Sequence, residues 1–150
     1  TAEKPGDITR RANGNLGLAI QHLRDESENR EHFDEFVKLT RLCWNMDIGG
    51  MLDFIDAMAG KGRERQKQFL LNAMRLLREN FMVNQSVTKV SCMTAYEEEF
   101  SVKFSRFIRE ENIFDFYAEL NLAYNHISAN AYARIVLLDM SLKIMKLLKI

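Results

Sequence analysis

Apolar residues recur along most of this chain at intervals of three and four, the spacing of helices that bury one face. The clearest stripe is Phe69, Ala73, Leu77 and Phe81, flanked by Leu70, Met74 and Met82. It predicts a long central helix from about Arg63 to Asn84 with that stripe in the core. Upstream, Asp7-Ile8-Thr9 can cap a short helix, Gly14-Asn15 breaks it, and Leu16, Ala19, Ile20 and Leu23 share one face of a second. The periodicity lapses in the charged stretch Arg24 to Glu31 and resumes at Phe33, Phe36, Val37, Thr40 and Leu42. We therefore expect a helix from Phe33 to Trp44 and a domain boundary near residue 28. Asp47-Ile48-Gly49-Gly50 opens the next helix, which runs to about Ala59 and is closed by Gly60-Lys61-Gly62. Gln85 to Met93 reads as an irregular connection or a brief extended segment. Thr94 and Glu97 form a capping box for a helix with Phe100, Phe104, Phe107 and Ile108 on its apolar face. Asn112 begins another helix, with Ile113, Phe116, Tyr117, Leu120 and Tyr124 inward, and a last helix runs from near Ser128 to Ile150.

That last helix carries two heptad-like rows. Ile135, Leu138, Leu142 and Met145 follow the spacing 3-4-3, and so do Leu137, Met140, Ile144 and Leu147. The rows are two residues out of phase, about 200° around a helix, so they point opposite ways. Asp139, Lys143 and Lys146 fill a narrow polar stripe between them. One row serves the chain's own bundle, with either row open to that role. The other is covered by a partner, unless the helix is buried on all sides within the domain.

Composition supports an all-α class. One proline in 150 residues, with abundant Leu, Met, Ala, Glu, Lys and Arg, leaves helix as the default, and 47% hydrophobic content suffices for a core. The 21 basic and 21 acidic residues cancel, so no global field draws the chain to nucleic acid or to an anionic membrane. Cys43 and Cys92 have no Cys-x-x-Cys partner and read as two buried thiols in a reduced protein. No apolar run is long enough to span a bilayer and no signal peptide opens the sequence, so the expected setting is soluble and cytoplasmic. The opening Thr-Ala-Glu-Lys-Pro-Gly, without an initiating Met, is expected of a piece cut from a longer protein.

The search for chemistry returns little. Gly60-Lys61-Gly62 lacks the upstream glycine and the Ser/Thr of a phosphate loop. His22, His32 and His126 are scattered; His32 alone has carboxylates at helical reach, Glu28 and Glu35, which reads as a solvated pair before a metal site. No Ser/Cys-His-Asp set and no Glu-x-x-His pairing is evident, so no catalytic, cofactor or metal residue is assigned. Glu97-Glu98-Glu99 reads as the first turn of a helix, favoured by its dipole. Lys61, Arg63, Arg65 and Lys67 cluster at the start of the long helix, the end where the dipole disfavours cations. They form either a solvated face or a contact patch for an acidic partner or a phosphate backbone.

Two stretches resemble the delta-prime or delta clamp-loader subunits of bacterial DNA polymerase III and their relatives, the two types being left open. Ala12-Asn13-Gly14-Asn15-Leu16-Gly17-Leu18-Ala19 looks like the Gly-Ser-x-x-x-Ala-Leu segment that closes the AAA+ lid in that family. ATP-binding members carry a sensor arginine three residues after the glycine, where this chain has Gly17; the resemblance therefore implies an ATP-inactive subunit. The second stretch runs from Trp44 to the end. It includes the Gly60 to Arg63 break, the helix Phe69-Leu70-Leu71-Asn72-Ala73-Met74-Arg75-Leu76-Leu77-Arg78, and Asn125-His126-Ile127-Ser128-Ala129-Asn130-Ala131, which looks like the entry to the family's last helix. The motifs are loose patterns of Leu, Ala and Asn. The polar connection near Ser86 to Ser91 and the charged Arg24 to Glu31 segment depart from the family.

The resemblance implies residues 1–28 as the tail of an AAA+ lid and 29–150 as a C-terminal helical collar domain of about five main helices. In that family five such domains close a ring that holds the AAA+ modules while the sliding clamp is loaded onto DNA. The implied function is non-catalytic assembly of the loader, with other clamp-loader subunits as partners. DNA and the clamp would be met only through the whole complex, and no membrane is involved. The competing readings are an unrelated helical protein-protein adaptor and a helix-turn-helix nucleic-acid binder resting on the Lys61 to Lys67 cluster.

Overall fold

Strong helix formers, broken by glycine and asparagine at turns, set the element order. The computed structural model describes residues 16–84 and 104–149. Among these, the chain forms five α-helices and no strand: α1 Leu16–Trp44, α2 Ile48–Ala59, α3 Arg63–Asn84, α4 Glu110–Ser128 and α5 Ala133–Leu148. A 3-10 turn, Ser105–Phe107, precedes α4. The all-α bundle expected from the sequence is present. The short helix at Asp7 to Thr9, the connection Gln85 to Met93, the Thr94 capping box, the Glu97 to Glu99 run and Cys92 lie outside the described residues.

The first difference from the sequence reading is α1. It runs without a break through Arg24 to Glu31, where a lapse in apolar periodicity had marked the end of one helix and the start of another. Arg and Glu are good helix formers, so the backbone stays helical while solvent surrounds it. The lapse records where packing stops. Every described side chain from Ile20 to Glu31 is exposed, and burial begins at His32 and Phe33.

Each turn has its own chemistry. Met46 takes φ 56° between α1 and α2, and Asp47 caps α2 by accepting from the Gly50 amide at 2.9 Å. Gly50 leaves room there, since a Cβ would come within 2.6 Å of the Asp47 carboxylate and the end of the Leu42 side chain, both of which would have to move aside. The end of α2 is closed from the next helix, where the Gln66 amide donates to the carbonyls of Met58 and Ala59 at 3.2 and 3.1 Å. Asn112, read as a helix start, sits inside the first turn of α4. Its Oδ1 accepts from the Arg109 amide at 2.8 Å, and its Nδ2 donates to Phe107 O at 2.8 Å. Asn130, at φ 70°, ends α4, and the Ala131 amide returns to His126 O at 2.9 Å; α5 therefore starts at Ala133, later than the Ser128 expected.

The core gathers one face of every helix. Phe36 and Leu39 of α1, Met51 and Ile55 of α2, Phe69, Leu70 and Leu77 of α3, Phe116 and Leu120 of α4, and Leu137 and Ile144 of α5 are all buried. Rings meet edge to face between Phe36 and Phe104, centroids 5.7 Å apart. Of the α3 stripe, Phe69, Ala73 and Leu77 are buried and Phe81 is half-buried. Tyr117, expected inward, is exposed: it flanks the buried Phe116, and Ile113, Phe116 and Leu120 define the packed side of α4.

Candidate functional site

The two rows of α5 are placed by its neighbours. α5 packs on α1, α2 and α4, so helices flank it on three sides. Leu137, Met140 and Ile144 are buried, together with Ser141 and Leu148. Leu147, the fourth member of that row, is half-buried. At 100° per residue a 3-4-3 row drifts around a straight helix, so Leu148 turns into the core as Leu147 turns off it. The other row splits. Leu138, Leu142 and Met145 are half-buried against the core, whereas Ile135 is 64% exposed. The rows therefore do not divide into one covered and one open face, because Leu138, Leu142 and Met145 also pack against the core. What stays open is the N-terminal end of α5, where exposed Tyr132 lies one turn before Ile135. The Arg134–Asp56 ion pair, 2.9 Å, ties this end to α2. Asp139 and then Glu119, at 2.9 and 3.7 Å, hold the Lys143 ammonium above its ordinary range.

The basic cluster is also placed, and each of its members meets a partner in the chain. Lys61 lies 3.2 Å from Glu35 and 3.8 Å from Glu31. Arg65 pairs with Glu35 and, at 3.2 Å, with Glu31, and its other terminal nitrogen lies 2.5 Å from His32 Nδ1. Arg63 donates to Asn130 Oδ1, and Lys67 pairs with Glu64 and sits over the Tyr124 ring. The cations that the helix dipole disfavours are thus offset by carboxylates of α1 and by contacts with the α4 side of the bundle. For Lys61 and Arg65 nothing in the local sequence signals this, since Glu35 stands 26 and 30 residues away.

His32 departs from the solvated pair expected of it. It is buried against Arg65; burial first, and the guanidinium second, push its pKa down to about 4. Arg65 likewise holds the Glu31 carboxyl below its usual range. Cys43 is buried, donates weakly to Ser141 O at 3.6 Å, and burial pushes its thiol up to about 12, which makes it an inert packing residue. Among the described residues no group of His, Cys, Asp and Glu could hold a metal ion. None of their helices is long and apolar enough to cross a membrane.

No protein-family model, curated protein or solved structure matches the chain. One further exposed site was missed in the sequence. Trp44, at the end of α1, meets Phe107 in a tilted contact, centroids 4.5 Å apart, lies under the Lys149 ammonium, 3.9 Å from its ring, and stays part-exposed, as do Met46 and Ile48.

Proposed function

We propose that this chain is the C-terminal collar domain of a bacterial clamp-loader subunit, joining DNA replication as an assembly element without a reaction of its own. The observation that carries the reading is the partly covered second row of α5. Ile135 is open to solvent, and Leu138, Leu142 and Met145 continue its line half-buried, so a neighbouring helix laid along this line would complete their burial. The family resemblance through Asn125 to Ala131 supports the same end of the molecule, where the α4–α5 turn presents Tyr132. The partners are other clamp-loader subunits in the cytoplasm, and DNA and the sliding clamp are reached through the assembled ring. Lys61, Arg63, Arg65 and Lys67 have no part in this proposal, since they are engaged within the chain.

The test is co-elution of the chain with purified clamp-loader subunits on size exclusion. Leu138→Ala with Leu142→Ala, and separately Ile135→Asp, should weaken co-elution while leaving a cooperative melt. Met140→Ala with Ile144→Ala should lower the melting temperature sharply. Absence of any complex between the unaltered chain and every such subunit would sink the collar reading and leave an unrelated helical adaptor. Duplex-DNA affinity falling steeply with salt would instead favour the nucleic-acid binder.

A further inference from the structure

α1 leaves the bundle at one place. Its described side chains up to Glu31 are exposed, and His32, 7% exposed, is the first buried one. At this root the His32 Nδ1 lies 2.5 Å from Arg65 Nη1, so the ring accepts and the guanidinium donates. Only a neutral imidazole can do this: a protonated ring has N–H on both nitrogens and brings a second cation against Arg65. Glu31 and Glu35 face the same point from α1, Arg65 from α3, and Lys61 from the turn before α3. Glu35 Oε1 receives both Arg65 and Lys61, while its buried Oε2 has no hydrogen-bond partner.

We propose that His32, Arg65, Glu31, Glu35 and Lys61 form an acid-released latch, which fastens the root of the protruding part of α1 to the start of α3 and opens when His32 takes up a proton. The packed ring titrates near 4 and the freed ring near 6.5. The open state therefore binds more protons between those values. Closure is complete above about pH 6.5 and is lost as pH falls toward 4. From pH 7 to pH 5 the open-to-closed ratio should rise roughly twentyfold.

Hydrogen exchange on the chain, corrected for intrinsic rates, tests this in peptides spanning residues 28–36 and 61–69. Both should open roughly twentyfold more at pH 5 than at pH 7 while α4 and α5 keep their protection. His32→Asn places an acceptor where Nδ1 was and cannot titrate, so its exchange in those segments should be nearly flat over the same range. An unchanged pH response in His32→Asn would assign the effect to the carboxylates and overturn the latch. So would an equal rise in α4 and α5, which marks general loosening. Should the variant not fold, NMR titration of the His32 ring in the unaltered chain decides: a midpoint well below 6 supports the latch, and one near 6.5 ends it.

Discussion

Two isoleucines nine residues apart on α5 offer a controlled comparison. Ile144 is 1% exposed and Ile135 is 64% exposed. The same substitution, Ile→Ala, removes the same atoms from each, so any difference in cost comes from surroundings. At Ile144 the lost transfer energy and the residual cavity should together cost about 2 to 5 kcal/mol, a large share of the roughly 5 to 15 kcal/mol that holds such a domain folded. At Ile135 most of the side chain already meets water, and alanine is the better helix former. The expected change there is within about 0.5 kcal/mol, with a slight gain possible in sign. Urea melts followed by helical circular dichroism measure both, with the m-value checked so that midpoints compare like with like. Equal losses at the two positions would mean that Ile135 is packed within the chain, and the open line along α5 would no longer exist. Ile144→Val, expected to cost about 0.5 to 1.5 kcal/mol, guards against a variant too unstable to melt.

Gly50→Ala should change stability by no more than about 1 kcal/mol, because its Cβ moves the ends of Asp47 and Leu42 and weakens the cap while alanine is the better helix former; a loss above about 2 kcal/mol would show that these side chains have no room to move. Ser141→Ala should be neutral or stabilising by up to about 1 kcal/mol, since the buried Oγ has no partner and the carbonyl that meets Cys43 remains; a loss above about 1 kcal/mol in the same assay would show that the hydroxyl is satisfied.

The fold was legible where one side of a helix faces a core over several turns. The Phe69, Ala73 and Leu77 stripe identified α3 and its buried face, because burial imposes the period directly. Boundaries were legible only where a residue's own chemistry stops the helix, as at Gly60 to Gly62. The unbroken α1 was missed because apolar periodicity reports burial, and a helix clothed in Arg and Glu has none to report. On α5 the two rows were visible, but their division was not, since it depends on how three other helices pack around α5. Tyr117 and Phe81 failed for a related reason: aromatic residues at the margin of a stripe are turned in or out by their neighbours on other helices.

The basic cluster shows how far a charge pattern can mislead when only its own segment is read. Four cations at the wrong end of a helix are a conflict in one dimension, and a phosphate backbone is one way to resolve it. The folded chain resolves it differently. Glu31 and Glu35, one turn apart on α1, arrive together beside Lys61 and Arg65, and they do so because Phe33 and Phe36 on the same stretch are drawn into the core. Hydrophobic burial fixes the register of α1 against α3, and that register delivers the carboxylates. Any nucleic acid bound at Lys61 and Arg65 has to compete with anions held at ion-pairing distance and bearing the opposite charge to these residues, which lowers the field available to a phosphate and removes the reason for placing one there. The same register puts His32 against Arg65, so the feature that weakens the case for a DNA contact is the one that creates the acid-sensitive joint at the root of α1.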